Sequence, residues 1–346
     1  MNAARIVLAL LAAPSQSGAM TTSEPDPIVI AHRGASGLRP EHTIAAYTLA
    51  IEQGADFIEP DLVPTKDGVL VARHENEISE TTDVAAHPEF AARKGTKTID
   101  GKAVTGWFVE DFTLAELKTL RARERLPLLR STKYDGQFDV PTFDEILALA
   151  RTCGVGVYPE TKHPTYFASI GLGTDAPLLA ALKRVGWDNA DAPVFIQSFE
   201  VANLKRLSKQ TKVRLIQLLD ASGAPADGAK PSYAAMVTPA GLKAIAAYAN
   251  GIGPARAMIY DGDGPATSLV ADAHAAGLKV HPWTFRAENL FLPKSYRAGL
   301  DPRAHGRVEE EIARYLELGV DGFFTDFPLE GVRARNARRP GARRGS

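Results

Sequence analysis

The sequence predicts an α/β fold of the TIM-like (β/α)8 barrel type, and three observations carry that prediction. Short β-rich runs alternate with helix-period stretches along most of the chain, the pattern of a parallel sheet with crossover helices. Helical stretches stop just before Gly54, Gly154, Gly186, Gly277 and Gly319, as expected of C-caps that lead by short loops into the next strand. The β-rich runs number nine, one more than a closed eight-stranded wall needs.

In order, the β-rich runs fall at 28–31, 57–63, 69–74, 155–160, 194–199, 213–219, 251–253, 279–285 and 320–326. Helical periodicity falls at 43–53, 113–123, 142–151, 177–185, 198–209, 239–249, 268–276 and 308–318. The surplus run has a physical explanation. The linker between 57–63 and 69–74 is too short for a parallel crossover, and Asp67-Gly68 reads as a two-residue hairpin turn. Such a turn pairs position i with position 135 − i, so Asp61 faces His74. One of the two runs is then antiparallel, or the third leaves the wall. Residues 26–330 form the barrel, and 75–153, long for a single connection, read as an insertion folded over one of its ends.

Hydrophobic residues at 45% and charged residues at 23% exclude wholesale disorder. Lys plus Arg is 40 against 41 for Asp plus Glu, so no basic excess recommends nucleic acid. The single cysteine, Cys153, excludes an internal disulfide framework and a thiolate zinc cluster. No apolar run reaches the roughly 20 residues of a transmembrane helix. Arg5, the apolar run 6–13 and the small residues up to Ala19 read as a secretory signal peptide over 1–19, hence a periplasmic or secreted protein. Residues 331–346 hold six arginines and no acid and read as a basic, disordered tail.

The chemistry begins at the first strand end. His32 and Arg33 precede Gly34 and a glycine-containing loop. Histidine moves protons near neutral pH, and the guanidinium fork suits phosphate. Glu59 and Asp61 sit two apart in an apolar strand, so both side chains share one face. Two carboxylates on a covered face repel unless protons or a hard cation lie between them. His74 ends the hairpin run, within reach of those acids. Glu160 and Lys162 repeat the two-residue spacing at a later strand end, offering a third oxygen ligand and a point charge for phosphate. Gln197, Phe199, Trp283 and Phe324 also fall at strand ends, where aromatics can line a pocket.

Together, His32-Arg33-Gly34, Pro40-Glu41-His42-Thr43, Glu59-x-Asp61, Thr65-Lys66-Asp67-Gly68, His74, Glu160-x-Lys162, Gln197-Ser198-Phe199, Trp283-Thr284 and Thr325-Asp326 closely resemble the motifs of glycerophosphodiester phosphodiesterases. The resemblance spans roughly 28–329, and the leader and long insertion look like the periplasmic bacterial branch. It implies a barrel of the PLC-like phosphodiesterase type, metal-dependent hydrolysis of glycerophosphodiesters to glycerol 3-phosphate and an alcohol, and a small-molecule substrate. Glu59, Asp61 and Glu160 then correspond to ligands of a divalent cation, Ca2+ ahead of Mg2+. His32 and His74 correspond to the acid–base pair, and Arg33 and Lys162 to phosphate binders. Glu41, Gln197, Phe199, Trp283 and Phe324 are expected on the substrate side. The nucleophile is water or the neighbouring glycerol hydroxyl. Two other readings are a phospholipase C- or D-type barrel enzyme acting on intact lipid, and a non-catalytic phosphodiester-binding protein. Pro60, between the two carboxylates, removes a backbone donor and is expected to bend or bulge the strand.

Overall fold

A computed structural model describes residues 26–262 and 264–338. The signal peptide expected at 1–19 and the end of the tail expected from 331 lie outside the described residues. The strands are β1 (Ile28–His32), β2 (Phe57–Glu59), β3 (Asp61–Pro64), β4 (Leu70–Ala72), β5 (Gly95–Ile99), β6 (Lys102–Gly106), β7 (Gly156–Val157), β8 (Glu160–Thr161), β9 (Phe195–Ser198), β10 (Arg214–Leu219), β11 (Gly251–Pro254), β12 (Lys279–Val280) and β13 (Gly322–Thr325).

Parallel pairing runs β13-β1-β2-β7 in one ladder and β12-β11-β10-β9-β8-β3 in another. Two junctions join them into a ring. Val157 bridges Val194 in parallel. At the other junction Phe285 bridges Thr325, with hydrogen bonds from Asp321 N to Val280 O and from Phe324 N to Pro282 O, each 3.0 Å. With β2–β3 and β7–β8 each forming one wall strand, the wall has the eight strands expected of the barrel. Pro60 interrupts the second of these, as its missing N–H requires. No residue is inserted there: Ile58 pairs with Val157 and Asp61 with Glu160, the same offset on both sides of the proline.

The surplus strand is β4, antiparallel to β3. Its register corrects the sequence expectation by one residue. Leu62 pairs with Ala72 and Val63 with Val71, and Arg73 N donates to Asp61 O at 2.9 Å, so Arg73 rather than His74 stands opposite Asp61. The loop has three residues, not two: Thr65 N reaches Val69 O at 2.9 Å, and Gly68 takes the left-handed conformation at φ 79° that closes a three-residue hairpin.

Seven of the eight predicted helices form close to their expected bounds, including Ile44–Glu52, Phe143–Cys153 and Val308–Glu317. The helix expected at 113–123 stops at Leu117, because Ala122 is extended and bridges Thr82. Ile78, Val84, Phe90, Trp107, Val109, Phe112, Leu117 and Leu120 of the insertion form a second core together with Val63 of β3, Val71 of β4 and Phe167, and the insertion carries the β5–β6 hairpin. It ends before the expected 153. Phe143, Ile146, Leu147 and Ala150 of the helix Phe143–Cys153 pack into the shell around the barrel, so that helix is the crossover between the second and third wall strands. The segment read as a disordered tail from 331 is helical as far as Asn336, with Ala334 buried and Arg335 paired to Asp56 at 2.5 Å.

Period-two alternation sorts the wall. Val29, Ala31, Ile58, Leu62, Val157, Ile196, Leu215 and Phe323 face the helical shell. Ile30, Phe57, Tyr158, Phe195, Ile216 and Phe324 form a separate interior layer, in which the Tyr158 and Phe195 rings stack 5.0 Å apart. Two residues further along these strands stand His32, Glu59, Glu160, Gln197 and Asp326. The apolar interior thus forms the floor on which the polar residues are mounted.

Candidate active site

The polar layer opens into a cavity of about 530 Å³ lined by His32, Arg33, Glu59, His74, Glu160, Lys162, Gln197, Phe199, Trp283 and Phe324 among others. Backbone register brings its acids together: His32 pairs with Glu59 across β1–β2, Asp61 with Glu160 across β3–β8, and Glu160 with Gln197 across β8–β9. Ligand oxygens of Glu59, Asp61 and Glu160 lie within 4.8 Å of one another, and all three residues are buried.

These acids cannot all be ionised cheaply. Burial, with the repulsion of Asp61 and Glu160, pushes Glu59 well above the usual carboxylate range. Burial likewise raises Glu160 to about 8, against the opposing pull of Lys162. Asp61 goes the other way: Lys162 and the hydrogen bond from His42 outweigh its burial and hold it well below that range. Asp61 Oδ1 is buried without a hydrogen-bond partner. An all-oxygen donor set with surplus negative charge and an unused lone pair fits a hard divalent cation. Gln197 Nε2 holds Glu59 Oε1 at 3.0 Å, and His42 Nε2 holds Asp61 Oδ2 at 2.9 Å, so the donor set is itself supported.

Arg33 takes the left-handed conformation at φ 60° and His42 at φ 55°, an uncommon backbone for residues with a Cβ. The folded loop turns Arg33 N onto Glu59 Oε2 at 2.8 Å and joins His42 N to Arg33 O at 3.1 Å. Gly34 allows the tight approach, since a Cβ there would lie 2.6 Å from the Ala46 carbonyl carbon. Thr43 accepts from Ala46 N and caps the helix that follows. The Arg33 guanidinium is 3.0 Å from Glu41 and 3.4 Å from Asp61, and these acids outweigh its burial to raise its pKa further. Lys162 Nζ is 2.9 Å from Glu160 and 3.7 Å from Asp61.

Each histidine has a carboxylate beside Nδ1, buried at His32 and half-exposed at His74. His32 Nδ1 is 2.6 Å from Asp326 Oδ1, and His74 Nδ1 is 3.0 Å from Glu75 Oε1. The hydrogen bond to Asp326 selects the Nδ1–H tautomer of His32 and leaves its Nε2 as the reactive nitrogen. Burial and the Arg33 charge push His32 down to about 4 despite Asp326. Burial, Arg33 and Lys162 push His74 down to about 3. Both rings are therefore neutral in the free protein near pH 7, and an anionic substrate beside the two cations favours the imidazolium form of either.

Of the residues singled out in the sequence, Glu41 is the one the structure moves. Like Asp61 it is absent from the cavity lining, but it stands outside the acidic cluster and instead anchors Arg33 and, at 2.9 Å, Arg125. Gln197 lines the cavity and also orients Glu59. The sequence reading missed Glu75, Arg130, His163 and Arg286, and assigned His42 and Asp326 no role. Asp326 was visible in the Thr325-Asp326 motif. Arg130 carries no local signal, because its partners Asp326 and Glu288 lie 196 and 158 positions away.

A profile of the Glycerophosphoryl diester phosphodiesterase family matches residues 32–330. Glycerophosphodiester phosphodiesterase GDPD6 of Arabidopsis thaliana is 39% identical, over 87% of this chain and 84% of that protein. The glycerophosphodiester phosphodiesterase of Haemophilus influenzae is 31% identical, over 94% of each. Among solved structures, a phosphodiesterase from Oleispira antarctica in complex with the product sn-glycerol-3-phosphate shares the fold, with a TM-score of 0.62 at 23% identity and coverage of 90% of this chain and 97% of that one. With a profile spanning the barrel and relatives aligned over most of their length, the chain belongs to the glycerophosphoryl diester phosphodiesterase family.

Proposed function

We propose that this chain hydrolyses glycerophosphodiesters to glycerol 3-phosphate and a free alcohol. The observation that carries the reading is the juxtaposition of three mutually close, buried carboxylates, two of them on the cavity wall, with two cavity-lining imidazoles that each have an acid beside Nδ1. Arg33 and Lys162 bind the non-bridging phosphoryl oxygens, whose charge grows as the nucleophile approaches. One imidazole Nε2 takes the proton of the nucleophile, which is water directly, or the neighbouring glycerol hydroxyl with water then opening the cyclic phosphate. The second gives a proton to the alcohol oxygen as its bond to phosphorus breaks. A divalent cation held by Glu59, Asp61 and Glu160 would add Lewis-acid neutralisation of that charge. Phe199, Trp283 and Phe324 line the cavity and keep water from parts of the substrate that do not react.

The finer reading has Ca2+ as the resident ion and an exported protein of the periplasmic bacterial type. The carboxylate-only donor set supports the first, and the leader at 1–19 with the long insertion supports the second. The test is release of glycerol 3-phosphate from glycerophosphocholine by the purified chain, before and after chelation and after return of Ca2+ or Mg2+. Turnover that survives complete chelation would sink the metal-dependent scheme. Cell fractionation with N-terminal sequencing of the mature chain tests export.

A further inference from the structure

Asp326 holds His32 through one oxygen, Oδ1. Its other oxygen, Oδ2, accepts from two arginines: Arg130 Nη2 at 2.6 Å and Arg286 Nε at 2.9 Å. A carboxylate rolls freely about its Cβ–Cγ bond unless both oxygens are engaged. Two donors on Oδ2 stop that roll and keep Oδ1 on the imidazole. The two arginines differ in origin. Arg286 follows the seventh wall strand and lines the cavity. Arg130 comes from the insertion, and its side chain is only 4% exposed. It is locked on three sides: Nε to Glu288 Oε1 at 2.6 Å, Nη1 to Ser36 O at 3.1 Å, and Nη2 to Asp326. Ser36 Oγ in turn donates to the carbonyl of His32 at 2.8 Å.

We propose that Arg130 is a positioning residue for the acid–base chemistry, through which the docked insertion sets the orientation of His32. The inference rests on His32 acting in the hydrolysis proposed above. Arg130 touches neither the cavity nor the acids assigned to the cation, so it acts through the groups it holds, Asp326 on the His32 ring and Ser36 on the His32 carbonyl. The fork is what the position requires. A planar guanidinium meets Asp326, Glu288 and a backbone carbonyl at once, and an ammonium of similar reach is a single point charge that cannot repeat that geometry. A neighbouring residue repeats the arrangement on the phosphate side: Arg125 Nε holds Glu41 Oε2 at 2.9 Å, and the same oxygen receives Arg33 Nη1 at 3.0 Å. One insertion segment therefore braces both the proton-transfer residue and the phosphate-binding residue.

The experiment uses the full chain with its cation, measuring kcat and KM on glycerophosphocholine for wild type, Arg130→Lys, Arg130→Gly and His32→Ala. Circular dichroism confirms that each is folded. Disordering a general acid–base group removes part of its contribution, so kcat of Arg130→Lys falls at least roughly tenfold while KM stays within about threefold. For Arg130→Gly, added guanidinium in the tens of millimolar restores kcat, and it does nothing for His32→Ala. Should Arg130→Gly not fold, Arg130→Lys decides by itself. The proposal is overturned by kcat within about threefold of wild type in Arg130→Lys, or by a folded Arg130→Gly that guanidinium does not restore. Failure of the underlying reading looks different: wild type itself then releases no glycerol 3-phosphate.

Discussion

Oδ1 of Asp326 lies 2.6 Å from Nδ1 of His32, joining the end of the last wall strand to the end of the first. The contact exists only because the barrel closes, and it decides which imidazole nitrogen can meet a substrate. Burial opposes ionisation of Asp326, but Arg286, Arg130 and His32 hold it well below the carboxylate range, so it remains an acceptor across the working pH range. Asp326→Asn replaces the acceptor with a group that can present a donor to Nδ1 and favour the wrong tautomer. Its kcat in the folded fraction should fall by about two to four orders of magnitude, with a lower Tm because Arg130 and Arg286 lose their buried counter-charge. A loss below about threefold would remove the dyad from the mechanism.

The two imidazoles can be told apart by leaving group. His32→Ala and His74→Ala should each lower kcat on glycerophosphocholine by about 100-fold or more. On a nitrophenyl phosphodiester, whose leaving oxygen needs no proton, the variant lacking the general acid should recover most of the loss, and the variant lacking the base should not. Equal losses on both substrates would contradict the division of labour.

Binding of a cation to the three acids should be visible without turnover. An ion that binds only the folded state stabilises it by about 2.7 kcal/mol at a hundredfold excess over Kd. Calcium added to chelated protein should therefore raise Tm, and Glu59→Gln or Asp61→Asn should reduce the shift. A full shift in both variants would place the ion elsewhere.

His163 ties the insertion hairpin to the barrel, 2.8 Å from Asp100 and 3.0 Å from Glu75. Burial disfavours its charge, but the hydrogen bonds to Asp100 and Glu75 prevail and raise its pKa to about 9. A raised pKa means that the folded state holds the proton more tightly. The stability it contributes is complete below the unfolded value of about 6.5 and disappears as pH rises through about 9. The Tm gap between wild type and His163→Gln should therefore be widest in mild acid and narrow toward pH 9. A gap that is constant or widens with pH would contradict the assignment.

The interior layer leaves no room at Gly156. A Cβ there would stand 2.2 Å from Phe57 Cε1, and Phe57 is held between Tyr158 and Phe195 at centroid distances of 6.2 and 5.4 Å. Gly156→Ala should cost about 1–3 kcal/mol by overpacking, read as a lower Tm with activity retained in the folded fraction. An unchanged Tm would show that the aromatic layer yields.

By itself the sequence determined the wall and the faces. Glu59 with Asp61, and Glu160 with Lys162, share a face because side chains in a strand alternate, and that local rule holds whatever the strand pairs with. The barrel class, the metal-ligand candidates and the histidine pair all followed from such short-range rules and from motifs matched residue by residue. Only the tertiary structure decided what depends on closure and docking. The register opposite Asp61 moved by one residue because Gly68 makes the loop three residues long. Glu41 proved to be an anchor for Arg33 and Arg125. His32 gained Asp326, and Asp326 gained Arg130, across nearly the whole chain length. Periodicity reports which face a side chain takes; which distant partner meets it there is set by how the ring closes and where the insertion packs.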